Sequence, residues 1–206
     1  MGFDKLRALL AGKPVVWHAL SQISHCASVR RIVLVCPIGG LSRFEAYVAE
    51  FPKIAAVVEG GVQRADSVNC GGEVLARLPG RPADFVAVHD AARPLVTPGA
   101  VTACFRAAVR HGAAALAERV TDTLHRSDGS GRAVASISRE NLWRMQTPQI
   151  LRREDLLALR ADGFSDEVSA LLHQKIEVVL VENPAPNFKI TIRSDLTLAE
   201  ALLRAP

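Results

Sequence analysis

Val86–Pro94 reads VAVHDAARP, which brings an imidazole, an acid and a guanidinium to the end of an apolar run. Val86, Ala87 and Val88 have the pattern of a buried strand, and that pattern stops at His89, Asp90 and Arg93. Charged groups at the carboxyl end of a parallel strand lie where open α/β sheets bind their ligands. The small pair Ala91-Ala92 lets a ligand lie close to the backbone between the charges. Asp90 could hold a divalent cation, because magnesium is bound through one or two carboxylates plus substrate phosphates. Arg93 could pair bidentately with a phosphate. A surface salt bridge between Asp90 and Arg93 accounts for the same residues without chemistry, and this stretch alone leaves both readings open.

Other segments carry similar choices. Gly60-Gly61-Val62-Gln63-Arg64-Ala65-Asp66-Ser67 places two glycines after a strand and a hydroxyl at a helix start. Backbone N–H groups at a helix amino terminus can receive an anion or a base edge, although a Gly-Gly turn alone marks only a tight bend. Leu142–Gln149 (LWRMQTPQ) ends in a Thr-Pro-Gln that punctuates a strand. Phe164-Ser165-Asp166-Glu167 opens a helix, with Ser165 equally suited to be an N-cap or a ligand contact. Lys189 sits between the apolar residues Phe188 and Ile190 of a short strand, Phe188–Ile192, and is expected to point into a polar cleft.

The elements that must position these groups alternate. Val15–Ser24 reads as a helix, Arg31–Pro37 as a strand and Leu41–Glu50 as an exposed helix. Ile54–Glu59 and Phe85–His89 read as strands, separated by a helix at Arg64–Leu78 whose core face is Val68, Val74, Leu75 and Leu78. Thr97-Pro98 starts a helix that runs towards His111-Gly112. Ala113–Leu116 and Ile176–Val181 are strand-like, and Ser194–Leu203 is a terminal helix with Leu196, Leu198, Ala199, Leu202 and Leu203 facing inward. Strand–helix alternation predicts right-handed βαβ units in a doubly wound, mostly parallel α/β sheet. The polar, turn-rich stretch Val120–Ile137, centred on Ser127–Gly131, interrupts that order and predicts a projecting β-hairpin arm, about 118–141 with its flanks. A lone hairpin is marginal in water, so the arm should pack on something, such as a second subunit.

A chain of 206 residues suits one domain with a full core, here 1–206. Apolar residues make up 49%, yet charges interrupt every run well short of a membrane span. The opening MGFDKLRALL has no cleavable signal pattern, so the expected compartment is the cytoplasm. Cys26, Cys36, Cys70 and Cys104 lack CxxC pairing and are expected as free thiols, mostly buried. The net charge of +4 and pI of about 9.1 allow anionic partners. With arginines dispersed and aromatics at 5%, no nucleic-acid platform is expected, and small anions fit better.

Taken in order, GGVQRADSV, VHDAARP, VTDTLHR, LWRMQTPQ, FSDEVSALL and NFKITIRSDLTLAEALL resemble the methylerythritol-phosphate cytidylyltransferases of non-mevalonate isoprenoid synthesis. The resemblance runs from about Lys5 to Leu203; the ribitol-phosphate cytidylyltransferases share most of it. It implies a nucleotidyltransferase, Rossmann-like fold and transfer of CMP from CTP to a polyol phosphate, with Mg2+ as cofactor. By the same resemblance Lys5 and Lys189 are the catalytic lysines, and Asp90 lies near the metal and the nucleotide. Gly61 and Ser67 would contact cytosine, while Arg93, Thr123, Arg139 and Ser165 would contact the polyol phosphate. Thr123 and Arg139 lie on the arm, which the resemblance sends into a partner's site, so a homodimer is implied.

The chain also departs from that pattern. The family begins with an apolar strand and a glycine-rich loop bearing a catalytic arginine, whereas Met1-Gly2-Phe3-Asp4-Lys5 starts beyond them, with Gly2 as a last remnant. Loss of a central strand would leave buried backbone groups unpaired at roughly 1–3 kcal/mol each. The chain as it stands is therefore expected to be a truncated form that binds CTP poorly. An active cytidylyltransferase acting on methylerythritol phosphate, with ribitol phosphate as the alternative acceptor, is the first expectation and a non-catalytic dimeric homologue the second. His125 stands where a lysine is usual, Arg119 where a proline is, Ser165 for a threonine and Val168 for an alanine; none of these removes a catalytic group.

Overall fold

Alternate residues of strand β5 (Phe85–Val88) divide the core between two faces: Phe85 and Ala87 pack with one cluster, Val86 and Val88 with the other. This period of two is what a strand covered on both sides requires. The first face is built by helices α1 (Val15–His25) and α5 (Pro98–His111), with Val101, Cys104 and Ala108 fully buried. The second is built by α4 (Arg64–Arg77), α6 (Arg153–Ala158) and α7 (Glu167–His173). These observations come from a computed structural model, which describes residues 4–159 and 163–204.

The sheet has two parts. Strands β10 (Val179–Glu182), β6 (Ala114–Arg119), β9 (Trp143–Arg152) and β5 lie side by side in that order. Strands β3 (Ile32–Cys36) and β4 (Ile54–Glu59) pair in parallel as a separate sheet. Between β3 and β5 lies a cavity of about 820 Å3 lined by Ile32, Val35, Leu75, Val86, Val88 and Phe105. Among the described residues no strand occupies it, so the expected single sheet is divided there. The sheet is also mixed: β10 is parallel to β6, but β9 runs antiparallel to both its neighbours.

At the amino-terminal side, β1 (Leu9–Leu10) and β2 (Lys13–Pro14) form a small hairpin closed by Ala11 and Gly12, both at positive φ. Two positive-φ residues in succession make the type I′ geometry that follows strand twist, and the second position is where glycine costs nothing. Helices α2 (Leu41–Glu45) and α3 (Tyr47–Glu50) replace the single exposed helix expected there, and Phe44 is buried rather than exposed. Strands β7 (Leu124–Ser127) and β8 (Ala133–Ile137) form the hairpin as a sheet of their own, leaving the main sheet between β6 and β9. Helix α8 (Arg193–Arg204) closes the chain.

Other boundaries differ from expectation. Thr147-Pro148, joined by a cis bond, does not end a strand, because β9 runs through it to Arg152. Proline can sit inside β9 because neighbouring backbone bonds carry the ladder through a shifted register. Phe188–Ile192 forms no strand, with a bend at Ile192, and β10 begins at Val179 rather than Ile176. On α8 only Ala199 is fully buried; Leu198 is 53% exposed, because the helix rests on Leu10, Val15 and Ile190 through one narrow stripe. Gly2 lies outside the described residues. The cysteines are free, three of them buried.

Candidate active site

The apolar cavity opens at the carboxyl end of β5 onto Lys5, Arg64, Ser67, His89, Asp90 and Lys189. Asp90 is held from both sides. Its N–H donates to Thr147 Oγ1 at 3.0 Å, and its carbonyl accepts from Arg93 N at 2.9 Å, closing a turn. The Thr147 hydroxyl also lies 3.0 Å from His89 Nδ1, while His89 Nε2 lies 3.4 Å from the Arg93 carbonyl. A neutral imidazole protonated on Nε2 satisfies all of these contacts at once. Burial does hold His89 neutral, pushing its pKa down to about 4 although Asp90 pulls the other way.

Lys189 Nζ reaches Asp90 Oδ2 at 3.0 Å. Two anchors fix the loop segment that carries it. On one side Asn187 donates from Nδ2 to Gln146 Oε1 and to the Thr147 carbonyl, both at 3.0 Å. On the other, Ile190 N donates to the Ala92 carbonyl at 2.8 Å and its side chain is fully buried. The expectation that Lys189 points into a polar cleft is therefore met, though from a loop rather than a strand. Lys5 arrives from the amino-terminal side, where Leu6 packs into the core and its carbonyl accepts from Val16 N at 3.1 Å. Burial and the neighbouring Lys189 lower the pKa of Lys5, partly offset by Asp90.

Two arginines complete the cluster. Arg93 Nε lies 3.6 Å from Asp90 Oδ2, and its Nη1 donates to the Asn187 carbonyl at 2.6 Å. The bland Asp90–Arg93 salt bridge thus exists, but as one strand of a larger network. Arg64, the first residue of α4, donates from Nη1 and Nη2 to both oxygens of Glu167, at 2.8 and 2.7 Å. Its Nε lies 3.5 Å from Asp90 Oδ1. Burial opposes ionisation of Asp90, yet Lys189, Arg64 and Arg93 outweigh it and hold the carboxyl below its ordinary range. Lys5, Arg64, Arg93 and Lys189 thus gather around Asp90 and Glu167, an excess of positive charge suited to anions.

The remaining expected residues divide into two groups. Ser67 lines the cavity with the cluster, while Gly61 is not among its lining residues; a Cβ at Gly61 would collide with the Asp66 side chain, and one at Gly60 with the Ser67 hydroxyl. The turn is closed by a capping box in which Gln63 and Asp66 satisfy each other's backbone N–H groups. Ser165 is exposed two residues before Glu167 and is not the N-cap; Asp166 is, accepting from Ser169 N at 2.9 Å. Thr123 and Arg139 flank the β7–β8 hairpin, both exposed, and neither makes a hydrogen bond or ion pair to the Asp90 cluster. Arg139 instead donates to the Thr121 carbonyl at the base of the arm.

Arg64, Glu167, Thr147 and Asn187 are site residues that reading the sequence did not single out. Glu167 had one usable signal: a carboxylate followed directly by Val168, Ala170 and Leu171, which are buried with it. As to a metal, no group of three His, Cys, Asp or Glu is gathered among the described residues. Asp90 alone still fits magnesium, which is commonly held by one carboxylate together with substrate phosphates.

Comparison with known proteins identifies the family. The sequence profile described as 2-C-methyl-D-erythritol 4-phosphate cytidylyltransferase matches residues 1–205. The chain is 37% identical over 207 residues to the protein of that name from Pelotomaculum thermopropionicum, covering 95% of this chain and 84% of the relative. It is 36% identical to the one from Chromobacterium violaceum, covering 95% and 88%. Among solved structures, the Thermus thermophilus enzyme of that name superposes with a TM-score of 0.78 at 32% identity, over 98% of this chain and 94% of that one. A 4-diphosphocytidyl-2C-methyl-D-erythritol synthase superposes at 0.84 with 28% identity, over 97% and 94%. By profile, sequence and fold together, the chain belongs to the 2-C-methyl-D-erythritol 4-phosphate cytidylyltransferase family.

Proposed function

We propose that this protein transfers CMP from CTP to 2-C-methyl-D-erythritol 4-phosphate, releasing pyrophosphate, in isoprenoid precursor synthesis. The observation that carries the reading is the 3.0 Å Lys189–Asp90 pair set among three further cations at a cavity mouth. In the reaction an oxygen of the acceptor phosphate attacks the α-phosphorus of CTP, and the bond from that phosphorus to the β-phosphate oxygen breaks. Two anions must meet, so positioning and charge neutralisation do most of the work. Lys5 and Lys189 supply positive charge where it accumulates, and Asp90 keeps Lys189 in place. A bound anion favours the charged form of Lys5, opposing the burial that lowers its pKa.

Asp90 would hold magnesium together with the nucleotide phosphates; that ion, when bound, neutralises the phosphates being transferred. Gly61 and Ser67, in the turn before and the first turns of α4, are assigned to cytosine. Arg93 and Ser165 are assigned to the acceptor phosphate. The arm supports a homodimer: its two strands pair only with each other, and an isolated hairpin gains stability by packing on a partner. Thr123 and Arg139 would then serve the second copy's acceptor site. No described helix is long and apolar enough to cross a membrane. The proposed compartment is the cytoplasm.

Phosphorus NMR of the protein with CTP, magnesium and methylerythritol phosphate tests this directly. The paired signals of a CDP-alditol are expected to grow together with pyrophosphate, and ribitol 5-phosphate is expected to react more slowly. Faster turnover of ribitol phosphate would reassign the acceptor, and consumption of neither would remove the activity.

A further inference from the structure

The reading above counts Arg64 only as a cation and gives Glu167 no role, yet the two are joined by a buried, two-pronged ion pair. The Glu167 side chain is 1% exposed, and a carboxylate is buried that deeply only when paired and hydrogen-bonded. Its two oxygens take both terminal nitrogens of Arg64, the fork geometry that fixes a guanidinium plane. With that plane fixed, Arg64 Nε is turned towards Asp90 Oδ1 at 3.5 Å. Lys189 and Arg93 both engage the other oxygen, Oδ2. Asp90 is therefore pulled from opposite edges, and its carboxylate cannot rotate without losing a cation on one side.

The elements joined by this contact matter as much as its geometry. Arg64 opens α4, directly after the Gly60-Gly61 turn, and Glu167 opens α7, two residues after Ser165. Helix α7 is itself tied to β9: Gln149 accepts from Val168 N at 3.0 Å and donates to Asp166 at 2.9 Å. We propose that Arg64 is a positioning residue that orients the Asp90 carboxylate towards Lys189, and that Glu167 acts through Arg64, linking the nucleotide segment to the acceptor segment. This rests on the cytidylyltransferase reading for its kinetic consequence, but not for its structural one.

Arg64→Lys and Glu167→Gln test it, with kinetics at saturating CTP and methylerythritol phosphate and with the carbon-13 resonance of the Asp90 carboxyl, assigned by its loss in Asp90→Asn. Arg64→Lys keeps the charge but not the fork, so kcat should fall on the order of 10–100-fold, the scale of losing an orienting partner. Both KM values should stay within about threefold of wild type, since Asp90 rather than the substrate loses its support. Glu167→Gln should lower kcat less, and the double variant should be no worse than Arg64→Lys alone, because residues acting as one unit are not additive. The Asp90 resonance should move in both single variants.

Unchanged kcat with lowered thermal stability would overturn the proposal in favour of a plain tether between α4 and α7. A KM effect without a kcat effect would make Arg64 a substrate contact. Multiplying effects in the double variant would separate Glu167 from Arg64. Should wild type release no pyrophosphate, the functional reading fails on its own, and the Asp90 resonance still decides the positioning: a signal unmoved by Glu167→Gln refutes it. If Arg64→Lys does not fold, Glu167→Gln and the same resonance decide it.

Discussion

Asp90 has two oxygens and three cations on them: Lys189 and Arg93 at Oδ2, Arg64 at Oδ1. The apolar run Val86–Val88 places Asp90 at the end of β5 in the sequence, but it leaves open whether the acid pairs only with Arg93 or joins a larger cluster; the structure shows the cluster. The Arg64–Glu167 pair could not be read from the sequence, since its members lie 103 residues apart and only the fold brings them together. His89, next to Asp90, gives a prediction at the same scale. Burial lowers its pKa from 6.5 to about 4, so between those values the unfolded chain binds a proton that the folded one does not. Stability should therefore fall as pH drops from about 7 to 4, by no more than roughly 3 kcal/mol from this residue. Urea unfolding of wild type and His89→Asn across that range checks it: the variant should show a shallower decline, and an equal slope would exclude His89 as the source.

At the scale of elements, local signals hold where the contacts that decide them are local. Thr97 accepts from Ala100 N at 3.2 Å with Pro98 at the first helical position, so the local signal and the structure agree. Where tertiary contacts decide, local signals misled. Thr-Pro-Gln suggests a strand end, but β9 continues through it because β5 and β6 hold it on both sides. Lys189 sits in a loop anchored by Asn187 and Ile190, which a strand-like pattern cannot distinguish from a ladder. The N-cap of α7 is Asp166 rather than Ser165, since the longer carboxylate also takes the buried Gln149 amide. Asp166→Ala removes a cap worth about 1 kcal/mol and leaves a buried amide short of a partner at roughly 1–3 kcal/mol more. A clear drop in the urea midpoint is expected, and a drop no larger than that of Ser165→Ala would contradict the assignment.

At the scale of the whole molecule, two features stand out. The division of the sheet between β3 and β5 produces a cavity of about 820 Å3 whose apolar walls end at the charged cluster. Strand-to-helix alternation foretold the layers, but the pairing of β3 with β4 alone depends on long-range contacts. The polar, turn-rich stretch Val120–Ile137, centred on Ser127–Gly131, does form a hairpin, β7 pairing with β8. Its Arg139 is exposed and, among the described residues, bonds to the arm's own base; the proposed function assigns it to the acceptor site of a second copy. Arg139→Ala should raise the KM for methylerythritol phosphate several-fold more than that for CTP, as expected when one acceptor phosphate contact is lost. Equal effects on both constants in steady-state assays would contradict the assignment of the arm to the acceptor.

The measurement that bears most directly on the site as a catalytic centre is pyrophosphate release from CTP, magnesium and methylerythritol phosphate by wild type and by Lys189→Ala. Release by wild type should require both substrates, and the variant should be slower on the order of 10²–10³-fold, the scale of losing one charge-stabilising donor. Equal rates in the two proteins, or no release from folded wild type, would contradict the assignment of cytidylyl transfer to the Asp90–Lys189 cluster.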